Sequence, residues 1–350
     1  MLLLKEFTKK WIGYRILKTG IAVFFTALIC QALNLPVVFA VITAIVTLEP
    51  TASDSIKKGL IRLPASAIGA ALAVLFVSLL GNSPWTFALA ATLTIYICQK
   101  LKLEQGTLVA ALTAVAMIPG VHDHFFLAFL IRLSTTTIGL TVSTLVNIFI
   151  LPPQYVDTVS LRMKNHINEF STQLKNTVED LTSISEENRK SPLSKYKIFR
   201  KNIDKSEELI QFQESEWKYH RFRFSQYRTL KKLKKQINIL QKAVLHLGNL
   251  QYINTRVEFT KYEQELITDL IENMTYIFSH LEEPISDDYF HIIYEMDKYL
   301  KYEYSAAQAR DLDYFHHFQA KLIVFYELLS IHDSLEEMQQ LTFSNNTKKK

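Results

Sequence analysis

Hydrophobic and polar positions alternate in two different ways along the chain, and the change falls near Pro153. Before it, apolar residues run on with few breaks: Thr19–Leu48, Leu63–Gln99, Gln105–Val121 and Leu133–Val156 contain no charged side chain. After it, apolar residues return at steps of three and four between charged ones, as in Leu230, Leu233, Ile237, Leu240, Val244 and Leu247. The first pattern exceeds what a soluble core uses, and a bilayer's hydrocarbon layer of ~30 Å takes about 20 apolar helical residues. The second is the stripe of a helix packed in a bundle.

The uninterrupted part predicts six membrane spans, near residues 16–33, 36–49, 62–80, 84–99, 105–119 and 125–151. Asn34-Leu35-Pro36, Glu49-Pro50, Gly81-Asn82-Ser83-Pro84, Pro119-Gly120 and Pro152-Pro153 punctuate them. The later part predicts five or six helices without strands. Its further stripes run from Leu266 to Leu281 and through Phe315, Phe318, Leu322, Phe325 and Leu329; Pro192, Gly248 and Pro284 break the pattern. The expected architecture is all-α: a transmembrane domain over 1–153, a helical bundle over 154–343 and a disordered basic tail over 344–350.

Charge sets an orientation. Before Tyr155 there are 11 basic and 5 acidic residues, and after it 28 and 29, so the net +5 belongs to the apolar part. That placement removes the bulk-charge argument for a nucleic-acid partner. Lys5, Lys9, Lys10, Arg15 and Lys18 precede or open the first span; Lys57, Lys58 and Arg62 lie before the third, and Lys100 and Lys102 between the fourth and fifth. The alternate connections carry none. The positive-inside rule then puts both termini in the cytoplasm of a multi-pass protein of the plasma membrane. No cleavage site follows the basic N-terminus, so no removable leader is expected.

A repeat lies inside the membrane part. Leu60-Ile61-Arg62-Leu63 returns seventy residues later as Leu130-Ile131-Arg132-Leu133, Ile68-Gly69 as Ile138-Gly139, and Thr43-Ala44 as Thr113-Ala114. Three spans per copy is an odd number, so the second copy enters the membrane inverted. Inverted repeats are characteristic of secondary transporters, and short spans in matching positions point to the binding site. Spans two and five are both short.

Several residues in these blocks could carry chemistry. Arg62, Ser66, Gly69 and Arg132, Thr136, Gly139 share the spacing Arg-x3-Ser/Thr-x2-Gly, which puts charge, hydroxyl and a close-packing position on one helical face. Arg62, at the expected cytoplasmic start of its helix, is also explained by snorkelling. Arg132, on the outer side, opposes the charge rule and is the stronger candidate for an anion. Thr43 and Thr113 are candidate cavity hydroxyls, Tyr96 and Asn147 milder ones. Glu49 is a candidate proton carrier or an ion-pair partner of Arg62 or Lys57, and Asp54 reads as a loop residue.

His122-Asp123-His124 reads as a solvated turn rather than a metal site. Cys30 and Cys98 fall in apolar runs and imply neither a disulfide nor a metal. No phosphate-binding Gly-Lys-Ser/Thr loop or defensible catalytic constellation occurs, so no cofactor and no enzymatic activity is expected. The basic aromatic stretch from Arg221-Phe222-Arg223-Phe224 to Lys235 fits a solvated face, anionic lipid headgroups or an acidic partner.

The stretch Thr43-Ala44-Ile45-Val46-Thr47-Leu48-Glu49-Pro50-Thr51, through Lys57-Lys58-Gly59 to Arg62 and Gly69, resembles the aromatic acid exporter family, within the fusaric-acid-resistance-like group. Six spans followed by a long helical tail resemble its Gram-positive branch. Where that family often has Gly-Thr after the Arg, this chain has Ala65-Ser66 and Thr135-Thr136. The resemblance implies proton-driven export of aromatic carboxylates or related organic anions by a membrane homodimer. Plant malate channels, which look like distant relatives, make a passive anion channel the alternative. A membrane-anchored sensor or scaffold working through its bundle is another.

Overall fold

A computed structural model describes residues 13–120, 124–150, 154–182, 193–218, 224–253, 257–309 and 319–343. Lys5, Lys9, Lys10, His122-Asp123, Pro152-Pro153, Pro192, Arg221–Arg223, Phe315, Phe318 and the 344–350 tail lie outside them. All regular structure among the described residues is helical.

The chain divides into two compact units: Met1–Gln154 with Phe212–Phe222, and Tyr155–Gln211 with Arg223–Lys350. The end of a later helix thus groups with the first unit.

In the first unit, α1 (Tyr14–Ala32), α2 (Val37–Thr47), α3 (Ala52–Leu80), α4 (Pro84–Lys100), α5 (Glu104–Met117) and α6 (Phe125–Phe149) follow in order, with a 3-10 turn at Ile118–Gly120. Three stretches are long and apolar enough to cross a membrane: Arg15–Ala32, Ala52–Leu80 and Phe125–Phe149. At 11 residues α2 is about 17 Å long, and the 14 residues of α5 about 21 Å, both below the ~30 Å of hydrocarbon.

The third helix starts ten residues before the expected position 62. Thr51 is its N-cap, its hydroxyl accepting from the Asp54 N–H at 3.0 Å. Asp54, Lys57 and Lys58 are thus helical rather than loop residues, and Arg62 sits in mid-helix instead of at its start. Pro64 also lies within this helix. The helix ends at Gly81, whose φ of 60° suits glycine. Ser83 and Pro84 then open α4 as N-cap and first residue.

Packing in this unit uses small residues. α3 lies along α5, α4 and α6, and α2 along α6 and α1. A side chain at Gly69 would collide with the Ala110 carbonyl oxygen, and one at Gly139 with the Ala40 carbonyl oxygen. The two contacts are made by positions seventy residues apart on both sides. Near one end, Ala70, Ala73, Val77, Ala90, Ala114, Met117 and Ile118 form an apolar cluster with Phe76, Phe87 and Phe129 against it.

The second-unit helices are α7 (Val156–Thr182), α8 (Leu193–Trp217), whose last turns join the first unit, α9 (Phe224–Gln251), α10 (Lys261–Ser279), α11 (Asp287–Ala309) and α12 (Ala320–Phe343). Their stripes meet in one core, with Phe170, Leu240, Leu270 and Phe325 fully buried; each such side chain contributes about 1.5–3 kcal/mol. Gly248 accommodates the Tyr196 ring, whose hydroxyl donates to the Val244 carbonyl oxygen at 3.2 Å. Thr260 and Glu263 form a reciprocal capping box on α10. Although burial disfavours its charge, Lys321 and the Thr260 N–H hold the Glu263 carboxyl below the usual carboxylate range.

Candidate functional site

Four of the sequence-derived candidates meet where α3, α5 and α6 pack. Ser66 Oγ lies 3.1 Å from Thr113 Oγ1 and 3.3 Å from Thr136 Oγ1. The Arg132 Nη2 donates to Thr113 Oγ1 at 2.7 Å. Thr136, with its neighbour Thr135, also donates to the Arg132 carbonyl oxygen, each at 2.9 Å. All five of these residues are buried, Arg132 being 6% exposed. On α6 the spacing of four puts Thr136 one turn from Arg132 on the same face.

The guanidinium of Arg132 stacks on Phe39 of α2, its carbon 4.1 Å from the ring centroid. Its Nε and Nη1 have no hydrogen-bond partner among the described residues, and no carboxylate there pairs with it. An arginine keeps its charge in proteins, and a buried charge without a counter-charge is costly. Two idle charge-assisted donors on a planar cation, beside an aromatic face and three hydroxyls, form an arrangement suited to a carboxylate or another planar anion.

Arg62 lives differently. Its Nη2 meets Glu49 Oε1 at 2.7 Å, Nη1 donates to the Val46 carbonyl oxygen at 3.3 Å and Nε to that of Gln105 at 3.4 Å. The second cation on Glu49 is Lys58 at 2.8 Å, not the anticipated Lys57. Positions 58 and 62 are one turn apart on the same face of α3, and 57 is rotated away. Arg62 and Glu49 therefore form an ion-paired group apart from the hydroxyl cluster. Thr43 also stands outside it, donating to its own helix at the Phe39 carbonyl oxygen, 2.9 Å away. Tyr96 is 57% exposed, and Lys100 lies over its ring at 5.9 Å.

Asn147 does more than line a space. Its Nδ2 lies 3.0 Å from the Glu49 and Thr51 carbonyl oxygens and 2.8 Å from Ser55 Oγ, while its Oδ1 accepts from Lys18 Nζ at 2.8 Å. It thereby ties α6 to α1 and to the α2–α3 turn that presents Glu49. Sequence reasoning treated Lys18 as an orientation marker, yet it is 5% exposed. A signal for it was present: Lys18 follows Arg15 by three residues, inside an apolar helix. Phe39 and Glu216 had no such signal, because aromatic residues are common in apolar helices and Glu216 lies in a charged stretch.

Comparisons with known proteins identify the family to which this part of the chain belongs. Residues 10–150, which hold all the groups above except Glu216, match the family described as aromatic acid exporter family member 1. Over nearly the whole length, a UPF0421 protein from Bacillus cereus is 45% identical across 345 residues, covering 95% of each chain. One from Oceanobacillus iheyensis is 40% identical over 339 residues, covering 94% of this chain and 95% of its own. Another from Staphylococcus saprophyticus is 39% identical over 334 residues, covering 94% and 97%. The chain is therefore a Gram-positive-type member of the aromatic acid exporter family and belongs with these UPF0421 proteins.

Proposed function

We infer that the protein is a membrane transporter that exports aromatic carboxylates or related organic anions, driven by the proton gradient. Arg132 carries this reading. A buried arginine with two idle donors and no carboxylate partner is a destabilising feature, and such residues persist where a ligand supplies the missing charge. Membership of an exporter family supports the same conclusion.

The reading includes six spans with both termini cytoplasmic, α2, α4 and α5 being short crossings in a protein-lined interior. It also includes an inverted repeat. The matched Gly69–Ala110 and Gly139–Ala40 contacts fit a pseudo-two-fold axis, and so does the meeting of Ser66 with Thr136, its own repeat partner. In this scheme Arg132 binds the anion, Ser66, Thr113 and Thr136 supply hydrogen bonds, and Thr43 lies on the wall. Glu49, held between Arg62 and Lys58, is the proton-coupling group: its protonation would release two cations at once. A homodimer in the cell membrane is the working assembly.

The test is uptake of labelled benzoate into inside-out vesicles, with and without a proton gradient, for wild type and Arg132→Ala. Gradient-dependent uptake that falls about 100-fold in the variant is expected, equivalent to loss of ~3 kcal/mol of a buried charged contact. Equal flux in both proteins regardless of gradient would identify a channel. Absence of flux for every anion tried would leave a scaffold acting through its helical bundle.

A further inference from the structure

The repeat reaches the first helices as well, with a slightly different offset. Shifted by 68 positions, Ile29-Cys30-Gln31-Ala32-Leu33-Asn34-Leu35 returns as Ile97-Cys98-Gln99-Lys100-Leu101-Lys102-Leu103, and Ala22 and Thr26 return as Ala90 and Thr94. The backbone matches too. Asn34 and Lys102 have positive φ, 51° and 57°, and the Leu35 and Leu103 N–H groups donate to the Cys30 and Cys98 carbonyl oxygens, each at 2.8 Å. Ala22, Thr26 and Cys30 are fully buried on α1, as are Ala90, Thr94 and Cys98 on α4. The copies α1–α3 and α4–α6 thus correspond helix for helix.

The helices do not pack copy by copy. α3 lies against α4 and α5, and its backbone scarcely approaches that of α2. α6 lies against α1 and α2. The third helices are therefore exchanged, which makes two bundles, α1–α2–α6 and α4–α5–α3. Each has its own apolar core: Ala22 with Val142 and Val146 in the first, and Ala70, Ala73, Ala90 and Ala114 in the second. The close glycine contacts lie inside the bundles, Gly139 on Ala40 in one and Gly69 on Ala110 in the other.

Between the bundles the backbones meet chiefly along one seam, α3 against α6. Contacts across it are mostly polar. Ser66 Oγ lies 3.3 Å from Thr136 Oγ1, Arg132 donates to Thr113 at 2.7 Å, Arg62 meets Glu49 at 2.7 Å, and Asn147 donates to Ser55 Oγ at 2.8 Å. An apolar contact crosses in the first turns of α6, where Ala128 and Phe129 pack against the second core. The end of α8 adds a polar contact to α3, Glu216 accepting from the Ala52 N–H in its first turn. Hydrogen bonds across a seam can be traded for bonds to water or cargo, whereas a close-packed interior moves as a unit. The candidate site is itself divided: Arg132, Thr136 and Phe39 belong to the first bundle, Ser66 and Thr113 to the second.

We propose that the two bundles are separate bodies that shift along the α3–α6 seam, and that the anion is held by donors from both. The division into bodies rests on packing alone, and its use in transport rests on the export reading. Movement of one bundle against the other would open the divided site first to one side and then to the other.

The experiment measures distances between nitroxide labels on the full chain in lipid vesicles, by double electron–electron resonance, with labelled chains diluted in unlabelled ones. Cys30 and Cys98 are replaced by Ala, and cysteines are placed in pairs at Ile42, Leu75, Leu112 and Leu145, four exposed positions. Ile42–Leu75 and Leu112–Leu145 each join one copy but different bundles. These are expected to shift by about 5 Å with saturating benzoate, the scale of one helical turn. Ile42–Leu145 and Leu75–Leu112 join different copies within one bundle and should hold to within ~2 Å. The reverse pattern, or equal shifts in all four pairs, overturns the proposal. A second measurement needs no cargo: Glu49→Gln removes an ion pair that crosses the seam and should displace or broaden the first two pairs alone. No change in those pairs under either condition also overturns the proposal. Their displacement in Glu49→Gln, in a protein that neither takes up benzoate nor responds to it, would keep the two bodies and count against the export reading.

Discussion

Arg62 and Arg132 stand at matching places in two halves of the first unit, with the same neighbours in sequence and opposite electrostatic surroundings. Each lies seven residues before a glycine that meets a helix carbonyl, at Ala110 for Gly69 and at Ala40 for Gly139. One has Glu49 at 2.7 Å, and the other, among the described residues, only a hydroxyl and an aromatic face. The difference originates in the short helix that precedes each arginine helix. Glu49 follows α2, and the residue seventy positions later is Pro119. Close packing is thus shared by the halves, while charge neutrality belongs to one. Two segments matched in sequence can thus keep the same backbone contacts and differ in whether their arginine meets a carboxylate.

The largest effect that would break this comparison is on Glu49. Glu49→Gln strands Arg62, and removing one member of a buried pair costs ~3–5 kcal/mol, read as a drop in thermal stability of the solubilised chain. A variant as stable as wild type would mean that the two arginines are equivalent after all.

Arginine substitutions should then differ in sign. Arg62→Met leaves Glu49 with Lys58 alone and should destabilise by about 2–3 kcal/mol. Arg132→Met removes an uncompensated charge and should leave stability unchanged or raise it by up to ~1 kcal/mol, while abolishing uptake. Equal losses from both would sink the distinction.

The glycines test the half that is shared. Gly69→Ala and Gly139→Ala should each cost about 1–3 kcal/mol, alike within error, because each drives a methyl into a backbone oxygen. A large cost at only one of them would confine the close approach to that half.

The smallest expected effect is acid sensitivity of the second unit. Burial lowers the His166 imidazole from its ordinary 6.5, with Arg162 adding to the effect and Glu169 opposing it. His332 is lowered by burial against the pull of Asp333 and Glu336. Each imidazole is lower in the folded chain than in the unfolded one. The unfolded form therefore takes up protons first, and stability is lost as pH falls below 6.5. Melting followed by circular dichroism between pH 7.5 and 5.5 should show a decline of about 1 kcal/mol, reduced in His332→Gln. A flat profile would mean that neither ring is excluded from water.

Much of this was legible in the chain. The stripes of α9 and α10 predicted a core that the structure fills with Leu240, Leu270 and their neighbours, since periodicity alone decides which helical face is buried. Ser66, Thr113, Thr136 and Arg132 were recognisable because a charge recurring in an apolar block has few trivial explanations. The start of α3 was misjudged, because Lys57 and Lys58 read as loop charges although a helix can carry them before it enters apolar surroundings. Partner choice also lay beyond the sequence. Whether Glu49 meets Lys57 or Lys58 depends on helical rotation, and Phe39, Lys18 and Glu216 acquire meaning only where distant helices touch.

Asn147 bears on how the molecule is made. Its side chain satisfies Lys18, 129 residues earlier, and the Glu49 and Thr51 carbonyl oxygens, 98 and 96 residues earlier. A ribosome adding roughly 5–20 residues per second takes about 5–25 s to cover those gaps. Through that interval the first helix holds an ammonium, and the α2–α3 turn two carbonyls, for which the Asn147 side chain has not yet been synthesised. The arrival of α6 joins α1 to the α2–α3 turn, well before the end of α8 completes the unit.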